Sequence, residues 1–225
     1  MPMPSSFGLP GDISNYLSSP SNRDKVLELL SQHLVLALLP LLIGLVVAVP
    51  LGWAAQQVRW LRALVLGSAT VVYTVPALAL FVIMPGILGT RILDGVNVVV
   101  ALVLYTCALL VRPVVDALDA VPAPVVAAAT AMGYQPVRRF VAVELPMAVP
   151  VLAAGVRVAS VSNISLVSVG AFIGIGGLGQ LFTEGFQTRY LAPIVIGIVL
   201  TVLLALAMDL LLVAVRRTAT PWTRT

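Results

Sequence analysis

Five apolar runs, at about residues 34–55, 61–84, 96–111, 149–173 and 191–215, dominate this chain of 225 residues. At roughly 1.5 Å per helical residue each crosses most or all of a hydrocarbon layer about 30 Å thick, the third being the shortest. Hydrocarbon offers no partner to a backbone N–H or C=O, so each run must satisfy its own polar groups as a helix. Only 10% of the residues are charged and 60% are hydrophobic, where a soluble domain carries about 25% charged residues. Water is not the main solvent of this chain.

The 13 basic residues give a formal charge of +4. They sit between apolar runs instead of forming the basic block or stripe that nucleic-acid binding needs, so no nucleic-acid partner is expected. Placing the N-terminus outside puts Arg59, Arg62, Arg112, Arg138, Arg139, Arg216, Arg217 and Arg224 in the cytoplasm, and leaves Arg23, Lys25, Arg91 and Arg189 outside. The positive-inside rule therefore favours N-out, C-in, with a cytoplasmic loop over 112–146.

Residues 1–20, rich in Ser, Pro, Gly and Asn, are expected to be irregular and extracytoplasmic, with no signal peptide. Ser21 and Asp24 fit a loose capping box, which predicts a short surface helix feeding the first span. Residues 21–217 then form one transmembrane domain, followed by a cytoplasmic tail over 218–225. Cys107 is the single cysteine and His33 the single histidine. Neither supports a metal site; Cys107 reads as a small packing residue and His33 as an interface residue.

Within the loop, AAATAMGYQPVRRFVAVELP begins at Ala127 and ends at Pro146. The stretch from Ala127 to Met132 favours helix, Gly133 can take the positive φ that ends one, and a second helical stretch starts at Pro136. Two short helices joined at a glycine make a knob, and Pro146 and Pro150 are expected to mark re-entry into the membrane. The pattern resembles the EAA motif of ABC importer permeases: Glu-Ala-Ala, then Gly after three residues, and nine residues later an aliphatic residue, any residue, Leu and Pro. Ala128, Ala129, Gly133, Val143, Leu145 and Pro146 match, whereas Ala127 stands where that family usually has Glu.

TVPALALFVIMPGILG from Thr74, ALVLYTCALLVR from Ala101 and GAFIGIGGLG from Gly170 are similar to segments of the permeases for glycine betaine, choline, carnitine or proline. Methionine-type permeases share part of the pattern. The resemblance implies that Ala127, Ala128, Ala129, Met132, Gly133, Arg138 and Arg139 form the dock for a cytoplasmic ATPase. It also implies a second copy or a homologous permease, two ATP-binding subunits and an extracytoplasmic solute-binding protein as partners. No Walker A sequence is present, so ATP and Mg are expected on the partner ATPase and no cofactor on this chain. A secondary transporter or a membrane scaffold would leave the motif unused.

Inside the membrane, Arg157 and Asp209 are the charges deepest in the apolar runs, roughly 16 and 10 Å from the cytoplasmic ends. Isolated charges there are costly, so the two are expected to form a structural ion pair. The fourth run holds Ser160, Ser162, Asn163, Ser165 and Ser168, groups that serve either interhelical hydrogen bonding or a solute path. Asn163, Ser165 and Ser168, with Tyr73 and Thr74 of a kinked second span, are the candidate lining. Gly174, Gly176, Gly177 and Gly179 are expected to break the helix beyond the outer end of the fourth span and to close the mouth of the path. A dinucleotide fingerprint is excluded there, because no strand precedes these glycines. The expected architecture is an all-α bundle of five spans.

Overall fold

In the computed structural model, residues 9–221 are described; they form helices, with no strand among them. Helix α1, Leu9–Ser18, occupies most of the described part of the segment expected to be irregular. Its Ile13, Tyr16 and Leu17 recur at helical spacing and join a cluster with Leu29, Leu178 and Ala192, so a tertiary surface supplies the burial that the local composition lacks. The Tyr190 hydroxyl ties the same helix down by donating to the Asp12 carbonyl at 2.8 Å.

The expected surface helix and first span are one element, α2, Pro20–Gln57. Its 38 residues reach about 57 Å, well beyond a hydrocarbon layer. Pro20 sits in the first turn, where no N–H is needed, and Ser19 is the N-cap residue, so the capping box at Ser21 and Asp24 does not form. Helix α5, Gly95–Asp119, packs along α2 because glycines let the backbones close. A Cβ at Gly44 would lie 2.5 Å from Thr106 Cγ2, and one at Gly52 would collide with Val114.

The second run is not a straight crossing. It divides into α3, Arg59–Thr74, and α4, Ala77–Leu88, bent by 104° at the break. Pro76 lacks an N–H and holds Val75 in an extended conformation, so a kink expected from sequence becomes a corner. The Val75 carbonyl that the break frees accepts the Tyr105 hydroxyl from α5.

Helix α5 starts at an Asp94 cap, whose carboxylate accepts the Val96 N–H at 3.0 Å, and runs two turns past the expected end at Val111. Arg112 therefore lies within α5, and the connection to the next helix begins after Asp119. It holds α6, Ala123–Ala131, and α7, Pro136–Arg139, followed by a wide π turn, Phe140–Glu144, and α8, Leu145–Val169. Pro136–Ile173 is one continuous helical run that passes through Pro146 and Pro150 unbroken. The wide turn just before Pro146 is where its missing donor is accommodated.

A 3-10 turn, Gly170–Ile173, then leads through the glycines to α9, Gly179–Thr188, and α10, Leu191–Ala219. Among the described residues four helical runs are long and apolar enough to cross a membrane, and the bent α3–α4 pair makes a fifth if counted as one span. One apolar core joins α2, α5 and α8 at the α6 end through Leu41, Leu110, Val114 and Leu152, and a second joins them and α4 at the far end through Leu36, Phe81, Leu102, Ile164 and Val167. Large apolar side chains such as Val46, Leu206 and Leu210 stay exposed, as expected when lipid or another subunit is the neighbour.

Candidate functional site: a helical knob, an intramembrane ion pair and a cleft at the opposite end

The knob is built on its glycine. Helix α6 ends at Ala131 with Met132 as its C-cap residue, and Gly133 turns the chain with φ +84°. Its N–H donates to the Thr130 carbonyl at 3.0 Å, while the Tyr134 N–H reaches back to Ala129 at 3.2 Å. Ala129 is buried beneath the knob, and Ala127, Ala128, Met132 and Arg138 face outward. Met132 is 70% exposed, an unbranched apolar side chain at the apex. Arg138 lies over the Tyr134 ring at 5.0 Å.

Arg139 faces inward instead. Its Nε donates to Glu144 at 2.5 Å and its Nη1 to the Thr130 hydroxyl at 2.9 Å, so one guanidinium staples α6 to the π turn. Glu144 is buried, and no local sequence pattern marks it as a functional residue. Arg139 and Glu144 are five residues apart, a spacing that does not share a face on a regular α-helix. The wide turn brings them together.

Arg157 and Asp209 meet between α8 and α10 in a two-pronged contact, Nε to Oδ1 at 2.6 Å and Nη2 to Oδ2 at 2.7 Å. Of the five polar candidates for a lining, Asn163 is set apart. It is buried within the chain, and its amide donates to the Ala37 carbonyl at 3.3 Å and to the Thr106 hydroxyl at 2.9 Å, tying α8 to α2 and α5. It therefore does not line an open surface here. Ser165 is exposed, and Ser168 faces a cleft at the end of α8 remote from the knob. Tyr73 and Thr74 belong to a different, smaller cleft of about 360 Å³, beside Thr70 and Arg112, where the Tyr73 ring meets Tyr105 edge-on. The structure thus divides the candidate lining among four places.

The glycine segment is tightly packed. Gly174 and Gly177 take positive φ, and a Cβ at Gly177 would lie 2.6 Å from His33 Cβ. His33 is fully buried, a correction to its expected interfacial place. Its Nε2 bonds the Ile164 carbonyl at 3.0 Å and its Nδ1 accepts the Leu178 N–H at 3.2 Å, so one imidazole joins α2, α8 and the glycine segment. A tertiary approach of this kind leaves no local signal. Gly174 and Gly179 border the larger cleft, of about 930 Å³, between the 3-10 turn and α9. No group of His, Cys, Asp and Glu suited to a metal occurs among the described residues.

Residues 36–220 match a family described as binding-protein-dependent transport system inner membrane component. The chain belongs to that family. It is the permease component of a binding-protein-dependent ABC importer, a multi-pass inner-membrane protein, and neither a secondary transporter nor a scaffold accounts for a match of this extent. Among curated relatives, the osmoprotectant import permease protein OsmW of Salmonella typhimurium is 36% identical over 203 residues, 89% of this chain and 94% of the relative. The choline transport system permease protein OpuBD of Bacillus subtilis is 30% identical over 201 residues, 89% and 88% of the two chains. A chain of the MetNI methionine ABC transporter in an inward-facing conformation superposes with a TM-score of 0.78 at 22% identity, over 90% of this chain and 99% of that one. A chain of an amino acid ABC transporter with histidines gives 0.68 at 19%, over 90% and 98%. These two likenesses establish the importer fold.

Proposed function

We propose that this permease carries a compatible solute bearing a trimethylammonium group, such as glycine betaine, choline or carnitine. The observation that carries this reading is the similarity over nearly the whole chain to permeases named for osmoprotectants, choline, glycine betaine and carnitine. A further relative of Helicobacter pylori, 33% identical over 148 residues, is named as an ergothioneine transport permease and binding protein, of which this chain covers 26%. Choline, glycine betaine, carnitine and ergothioneine share the trimethylammonium group.

The chain itself is non-catalytic and pairs with a second copy or a homologous permease. Separate ATP-binding subunits supply MgATP hydrolysis, and an extracytoplasmic binding protein delivers the solute. The N-terminus and the Gly174 to Gly179 segment lie outside, the knob inside. ATP-driven closure of the ATPases pushes on Met132 and its neighbours, and the spans rock between outward- and inward-open states, the two discrete arrangements that such coupling requires. Arg139 and Glu144 make the knob rigid enough to transmit that push. The experiment is reconstitution of the permease with its ATPase and binding protein in proteoliposomes. Glycine betaine, choline or carnitine should stimulate ATP hydrolysis and enter the vesicles, whereas methionine should do neither. Stimulation by methionine alone would overturn the reading.

A further inference from the structure

A cleft of about 930 Å³ lies at the end of α8 remote from the knob, bordered by Ser168, Gly174 and Gly179. Its volume is that of a small-molecule site. Among the described residues lining it none carries a formal charge, while Ser168, Gln180, Thr183 and Gln187 contribute neutral polar groups. The Ser168 hydroxyl is shielded from solvent and has no hydrogen-bond partner. Phe172 and Phe186 face the same cleft and are 75% and 81% exposed.

These rings are not exposed because their segments are loose. The 3-10 turn carrying Phe172 is folded so closely that a Cβ at Gly170 would collide with the Ile175 carbonyl, and α9 is seated on α10 by close contacts at Gly185 and Gly197. The surroundings also differ from a lipid-facing surface, since Gln187 is exposed beside Phe186 and an unpartnered amide is costly in hydrocarbon. Aromatic faces without a carboxylate attract a quaternary ammonium weakly, and more weakly attract its neutral isostere. A carrier must release its solute, and a weak site of this kind does so.

We propose that Phe172 and Phe186 form an aromatic receiving site for the trimethylammonium group of the solute at the outer mouth, with the exposed Gln187 amide meeting its polar end. This rests on the solute class proposed above. The test uses the permease–ATPase complex in lipid nanodiscs without the binding protein, with saturation-transfer NMR on the methyl protons of choline. The neutral isostere 3,3-dimethyl-1-butanol is the control. Choline should show transfer and the isostere much less. The double variant Phe172→Leu, Phe186→Leu should raise the apparent Kd for choline about three- to tenfold, and Phe172→Tyr, Phe186→Tyr should keep it near wild type.

Leucine preserves apolar area, so equal choline binding by the leucine variant would overturn the proposal and make the rings a lipid-facing surface. Equal binding of the isostere would overturn it as well. Loss of permease pairing in the leucine variant, seen by light scattering, would make the cleft a subunit contact instead. The solute class is tested separately: a complete system that imports no trimethylammonium compound refutes the class, whereas wild-type import by the leucine variant refutes only the receiving site.

Discussion

Arg157 grips both carboxylate oxygens of Asp209, at 2.6 and 2.7 Å, across the contact between α8 and α10. Each residue is the other's partner within an apolar run, so removing one leaves the second charge without compensation. Arg157→Ala and Asp209→Ala should each lower the amount of folded complex recovered from membranes. The double variant should recover part of the loss, and a double-mutant cycle on abundance should report a favourable coupling. Strictly additive losses would show that the contact does not stabilise the fold, and unchanged abundance with lost uptake in both single variants would move the pair into the solute path.

The knob depends on a backbone conformation more than on space. No atom lies within 4 Å of a Cβ placed at Gly133, yet its φ is +84°. Gly133→Val should therefore cost about 1–2 kcal/mol through left-handed strain, with no steric clash. Gly133→Asn should be milder. Uptake and solute-stimulated ATP hydrolysis should fall in the valine variant while insertion into the membrane persists. Full coupling in that variant would remove the knob from the ATPase dock.

The contact from Asn163 to Thr106 and Ala37 is read as a tie among α8, α5 and α2. Asn163→Ala should lower stability by about 1 kcal/mol, the scale of interhelical hydrogen bonds in membranes, and should leave the order of solute preference unchanged. Thermal denaturation of the complex and competition uptake measure the two effects. A changed solute order with unchanged stability would return Asn163 to the pathway.

Orientation is open to a direct measurement. Ala131 is exposed on the knob, and Cys107, whose Sγ lies 3.5 Å from the Gly44 carbonyl, is replaceable by Ala to give a cysteine-free background. A cysteine at position 131 should resist impermeant maleimide in intact cells and label after permeabilisation. Labelling in sealed cells would invert the whole arrangement.

Most of the scaffold was legible before any coordinates, because membrane solvation imposes a length and an apolarity on each crossing segment and leaves helix as the form. The spacing of Ala128, Ala129, Gly133, Leu145 and Pro146 likewise carried the family, since a helix end at glycine is a local backbone property. The charges of Arg157 and Asp209 stood out against their apolar runs, so a pairing was inferable from cost alone.

Tertiary structure decided the features that depend on approach between distant segments. Residues 9–18 became helical because Leu178, Ala192 and their neighbours cover Tyr16, an effect that composition near the N-terminus does not contain. Pro76 announced a kink, but neither its 104° angle nor the Tyr105 hydroxyl that meets the freed Val75 carbonyl from α5 has a local signal. Asn163 could serve a pore or a core by its residue type, and only the positions of Ala37 and Thr106 make it a core residue. Glu144 reaches Arg139 through a π turn that a regular helical periodicity does not anticipate, and Phe172 and Phe186 share a cleft because the glycine segment folds back beside α9. Local chemistry determined what each segment could be, and the packing of one segment on another determined which of its polar groups were left to act.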